Sequence, residues 1–133
     1  MKKKLLAECL RISQATLSKH PEKRFKHWCF IIQDNKILEW STNSSGIPPV
    51  HFGYHNRLRN AEIDPKLHAE FNAFKKARGI INSNKKWECV NVRLSSNGEM
   101  RTSTPCECCY SFLTEMGCNT IWFTTNFGWA KCH

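Results

Sequence analysis

No run of consecutive apolar residues in this 133-residue chain approaches the ~20 that a membrane-spanning helix requires. A secretory leader is not expected either. The opening Met1-Lys2-Lys3-Lys4-Leu5-Leu6-Ala7 has the basic start, but Glu8 and Arg11 break the apolar stretch and no small-residue cleavage site follows. The expectation is a cytoplasmic protein without a membrane partner. Neither an internal repeat nor a dividing linker is present, so a single domain over residues 1–133 is expected. Acidic residues are scarce: 11 Asp and Glu stand against 20 Lys and Arg, a net charge of +9. Such a surplus favours an anionic partner, a nucleotide phosphate or nucleic acid, through the field it creates. A basic surface that serves only solubility accounts for it equally well.

The eight cysteines do not read as a disulfide framework, because such scaffolds are shorter and richer in loops. Cys106, Cys108 and Cys109 are packed into four positions, and a cluster of that kind in a cytosolic chain points to metal. Cys9, Cys29, Cys89, Cys118 and Cys132 mostly fall in apolar periodic segments, where cysteine behaves as a small buried hydrophobe.

Periodicity supplies the elements. Leu6, Leu10, Ser13 and Leu17 lie on one stripe of a helix from Lys2 to Lys19, which His20-Pro21 ends. Lys26 to Gln33 reads as an apolar strand, Asp34-Asn35 as a turn, and Lys36 to Trp40 as its returning partner. Residues 41–63 lose all periodicity, and a long loop inside a small domain tends to be functional. Asp64-Pro65 is a cap-plus-proline helix opening, with a helix to about Arg78 closed by Gly79. Trp87 to Leu94 is a strand, Ser96-Asn97-Gly98 a turn, and Thr104-Pro105 a second helix opening for Cys106 to Met116, stopped at Gly117. Thr120 to Thr124 and Trp129 to Cys132 complete the set as strands. Strands alternating with helices imply α/β, a three-layer α/β/α domain on a five-stranded mixed sheet.

Two segments carry chemistry: His68-Ala69-Glu70, and Pro105-Cys106-Glu107-Cys108-Cys109. One imidazole and two thiolates make a three-ligand zinc site that leaves the fourth position to water, the mark of a catalytic rather than a structural centre. Cys106 and Cys109, three apart, share a helix face, whereas Cys108 lies roughly 200° from Cys106. His68, Cys106 and Cys109 are therefore the expected Zn2+ ligands, and Cys108 is assigned to packing. Helix N-termini aimed at the site favour thiolate over thiol. Glu70, a carboxylate beside the ligands and not one of them, is the expected general base and acid.

H-x-E followed by P-C-x-x-C is the signature of the zinc deaminases, and the chain resembles the cytidine and deoxycytidylate deaminase superfamily from about Arg24 to Phe123. The resemblance implies a cytidine-deaminase-like fold. It also implies zinc held by one His and two Cys, a Glu proton shuttle, and hydrolysis of cytosine to uracil with loss of ammonia. An Asn after the second strand commonly contacts the sugar in this family, and Asn43 matches by position. Ala69, Thr104 and Phe127 join it as expected substrate contacts. Deoxycytidylate and nucleic-acid deaminases join their fourth and fifth strands by a helix; here only Asn126 to Gly128 are available, so an antiparallel last strand is expected. Relatives assemble into dimers or rings, which implies a homo-oligomer.

Three functions from different classes follow. The first is deamination of a free cytosine nucleoside or nucleotide. The second is deamination within single-stranded DNA or RNA, for which a basic loop (His51, Tyr54, His55, Arg57, Arg59) and the aromatics Phe127 and Trp129 would serve. The third is a zinc-stabilised binding module, which requires a fourth protein ligand. Each residue also has a plainer role open to it: Glu70 as a solvated helix carboxylate, the basic loop without a ligand, His51 and His55 on a second metal, Phe127 and Trp129 in packing, and Lys2 to Lys4 as a solvated helix end.

Overall fold

The computed structural model describes residues 2–17, 26–42, 44–45, 66–67, 69–105 and 107–132. In chain order these form α1 (Lys2–Leu17), β1 (Lys26–Gln33), β2 (Lys36–Thr42), β3 (Ser44–Ser45), β4 (Lys66–Leu67) and α2 (Ala69–Ala77). They continue with β5 (Trp87–Leu94), β6 (Met100–Arg101), α3 (Glu107–Glu115), β7 (Cys118–Thr125) and β8 (Gly128–Cys132). No helix among the described residues is long and apolar enough to cross a membrane.

The architecture is α/β. Strands run in the order β2-β1-β5-β7-β8, with β6 on β5 as a sixth member. Only the β5–β7 pair is parallel; β1–β2, β1–β5 and β7–β8 are antiparallel. The last strand is thus antiparallel, as the short Asn126–Gly128 connection requires. The sheet has six strands rather than five because Met100–Arg101 folds back on Leu94 and Arg93. Two residues are too few to leave a periodicity signal.

Alternation along β1 explains the layering. Trp28, Phe30 and Ile32 join Val90, Val92 and Leu94 beneath Leu6 and Cys9 of α1. Cys29 and Ile31 point the other way and pack with Cys89 and Ile121 under Ala69, Phe71 and Ala73 of α2 and Phe112 and Leu113 of α3. A period of two sends successive side chains to opposite faces, so a strand buried on both reads as an unbroken apolar run. Each such side chain, when fully buried, contributes roughly 1.5–3 kcal/mol. Phe30 also meets Trp40, its cross-strand partner, with ring centroids 5.9 Å apart.

Turns follow their residues. Asp34 and Asn35 have φ of 56° and 60°, left-handed values that these two residue types tolerate and that a two-residue hairpin needs. Gly117 ends α3 at φ +105°, where an added Cβ would stand 3.3 Å from Trp87 Nε1. Glycine is required there on both counts.

Three expectations need correction. Lys66–Leu67 is not the first turn of a helix begun at Asp64-Pro65; it pairs antiparallel with Ser44–Ser45, and α2 starts at Ala69. A ladder partner distant in sequence satisfies these backbone groups, which a local capping signal cannot foresee. The same pairing, with β2 continuing to Thr42, takes residues 41, 42, 44 and 45 out of the expected loop. Nor is Lys2 a solvated helix end. It forms an ion pair with Glu88 of β5 and lies 5.7 Å from the Trp122 ring centroid, tying α1 to the sheet.

Candidate active site

Glu70 sits in the first turn of α2 and is only 1% exposed. Ala69 and Phe71 beside it are buried too, so the carboxylate is drawn inward with the apolar face of its helix. Its Oε2 accepts a hydrogen bond of 3.0 Å from Asn91 Nδ2, in the middle of β5. Its Oε1 is buried and has no hydrogen-bond partner among the described residues, and neither has Asn91 Oδ1. A carboxylate in such a place is the opposite of a solvated surface group, since an unsatisfied buried acceptor costs about 1–3 kcal/mol.

Cys109, in the first turn of α3, is 1% exposed. The two helix starts are held side by side by aromatic packing: Phe71 meets Phe112 at 4.9 Å between centroids, and Phe74 meets Phe112 edge-on at 5.5 Å. Phe71 adjoins Glu70, and Phe112 lies three residues after Cys109. The carboxylate and the thiol therefore belong to neighbouring first turns over the same sheet face.

Why the segment before α3 lies where it does is visible in the sheet. The parallel strands β5 and β7 pair as far as Asn91 and Phe123. Beyond that point β6 pairs with Arg93 and Leu94, and the chain after it is bound to both strands. Arg93 N–H donates to Thr124 Oγ1 at 3.1 Å, and Thr124 Oγ1 donates to the Arg101 carbonyl at 2.7 Å. Ser103 N–H donates to the Thr124 carbonyl at 2.9 Å, while Ser103 Oγ accepts from Thr124 N–H at 2.9 Å and donates to the Asn91 carbonyl at 3.0 Å. The Ser103 and Thr124 hydroxyls are 2.8 Å apart. Ser103 and Thr124 thus pin the chain against the carboxyl ends of both strands, just before Thr104, which is exposed, and Pro105, which is buried.

Of the residues singled out from sequence, Ala69 and Glu70 lie in the first turn of α2, Cys109 in the first turn of α3, and Thr104 in the segment that leads into α3. Phe127 stands apart, 99% exposed at the β7–β8 turn. His68, Cys106 and Asn43 lie outside the described residues, as do His51, Tyr54, His55, Arg57 and Arg59. The side chain of Cys108 lies outside them as well. Asn91, Ser103 and Thr124 were not foreseen. The one signal in the sequence is the amide of Asn91 between Val90 and Val92 in the strand Trp87 to Leu94.

The remaining thiols are structural. Cys9, Cys29 and Cys89 are fully buried, and none of them, nor Cys118 or Cys132, is in a disulfide. Burial pushes the Cys9 thiol up to about 12 from its ordinary 9.0, and pushes the Cys29 and Cys89 thiols up as well. Raised thiols make poor nucleophiles.

Compared with models of known protein families the chain gives no match, and compared with curated proteins it gives none either.

Proposed function

We propose that this protein is a zinc-dependent hydrolase of the cytidine-deaminase type, converting a cytosine nucleotide or nucleoside to its uracil counterpart with release of ammonia. The observation that carries the reading is Glu70: a buried carboxylate at a helix start, held by one oxygen and without a partner at the other among the described residues. It belongs to the HxE segment, and HxE with PCxxC offers a donor set of one imidazole and two thiolates that suits zinc. His68, Cys106 and Cys109 would hold the ion; when bound, it acidifies water so that hydroxide is available near neutral pH. Glu70 Oε1 takes the proton that the attacking water gives up and returns it to the departing amine, so the C–O bond forms and the C–N bond breaks without net proton change. The mixed sheet and the antiparallel β8 are what this reading calls for. Assembly of identical chains in the cytoplasm is part of the same reading.

The test is ammonia release from cytidine, deoxycytidine, CMP and dCMP by zinc-replete protein, beside the Glu70→Gln variant. Turnover of at least one substrate is expected, with a loss of about 10²–10⁴-fold in kcat for the variant, the range of general acid–base catalysis. Absence of a uracil product from all four would end the proposal.

Deamination within a single strand is the second reading, favoured by Phe127, bare at its turn, and by the net charge of +9. Exposed rings stack on bases, and basic surfaces follow phosphates. Oligonucleotide binding that weakens steeply with salt supports it; no binding at low salt removes it.

A further inference from the structure

Among the described residues Glu70 has one hydrogen-bond donor, Asn91, and that donor is strongly specified. Asn91 is fully buried in the central strand β5, its backbone paired with Cys29 on one side and Phe123 on the other. Its carbonyl also accepts from Ser103 Oγ at 3.0 Å. The orientation of its amide is fixed by chemistry: a carboxylate only accepts, so Nδ2 must face Glu70 Oε2, and the flipped amide would set two oxygens against each other. A polar residue in the middle of a buried strand costs stability unless its groups are engaged. Asn91 spends one side-chain group on Glu70 and leaves Oδ1 without a partner among the described residues. Packing alone would be better served by another valine, like Val90 and Val92.

We propose that Asn91 is the positioning residue of this site: its N–H holds Glu70 by Oε2, and this leaves Oε1 as the oxygen that carries the proton. The inference rests on the reading of Glu70 as proton carrier, and it names the group that selects which of its oxygens works. A freely rotating carboxylate would present either oxygen, at changing distance from the reacting group, and misplacement by an ångström is costly in rate. Asn91 acts through Glu70, so its loss falls on the chemical step and leaves substrate binding alone.

The experiment compares zinc-replete wild type with Asn91→Ala and Asn91→Gln. Circular dichroism and metal content establish that each variant is folded and loaded. For Asn91→Ala a fall in kcat of about 10–100-fold is expected, the usual cost of removing an outer partner of a catalytic group, with KM within threefold of wild type. Asn91→Gln retains the amide donor and should recover most of that loss. Asn91→Ser, polar but too short to reach Oε2, carries the alanine expectation should that variant not fold. A kcat within twofold of wild type in Asn91→Ala or Asn91→Ser, or a loss confined to KM, overturns the positioning role and leaves the proposed function standing. Wild-type protein that releases no ammonia overturns both.

Discussion

Residue identity is felt most sharply where burial and polarity conflict. Glu70 and Asn91 are a carboxylate and an amide in a layer otherwise made of Ala69, Phe71, Cys89 and Ile121, and they satisfy one another only in part. The cysteines show the complementary case, in which burial silences a reactive group. Because the Cys9 thiol titrates at about 12 in the folded protein against 9.0 ordinarily, the unfolded chain binds fewer protons between those values. Its contribution to stability is therefore complete below pH 9 and is lost as pH rises towards 12. Urea unfolding should show a midpoint that falls over this window, less steeply in Cys9→Ala. Iodoacetamide at pH 8 should leave Cys9, Cys29 and Cys89 unmodified in native protein and modify all three after denaturation, as read by mass spectrometry.

Among the elements, the carboxyl ends of β5 and β7 matter most. The parallel pairing stops at Asn91 and Phe123; beyond it Thr124 ties the ends together, its hydroxyl accepting from Arg93 N–H and donating to the Arg101 carbonyl. Thr124→Val keeps the shape and removes those bonds. It is expected to destabilise the fold by about 1–3 kcal/mol, because Arg93 N–H and the Arg101 carbonyl lose a partner, and urea denaturation measures this directly. Ser103 is bound from the same residue, so kcat should fall along with stability. Some of this scale was legible beforehand. The Asp34-Asn35 hairpin, the strand Trp87 to Leu94 and the stop at Gly117 follow from backbone preferences that act within a few residues. β6 and the β3–β4 ladder were not legible, because two-residue strands are made by distant partners and carry no pattern of their own.

For the molecule as a whole, the proposed zinc would couple site to fold. Its proposed ligands lie in two segments nearly forty residues apart, so binding would stabilise the native arrangement over the unfolded chain. Elemental analysis of purified protein should find about one zinc per chain, and exhaustive chelation should lower Tm and abolish deamination together. Metal-free protein with unchanged Tm and activity would contradict this.

The amino-acid sequence by itself determined the α/β class, the helix that carries Glu70, the segments rich in metal-binding side chains and the antiparallel return of the last strand. Those depend on periodicity, capping residues and connection length, which are local. Tertiary structure alone decided that Glu70 is buried, that Asn91 donates to it, and that Ser103 and Thr124 fasten the chain before α3 to the ends of the parallel pair. These residues lie between 12 and 31 positions apart in their bonded pairs, and only packing of the sheet against its helices brings such groups within reach of one another.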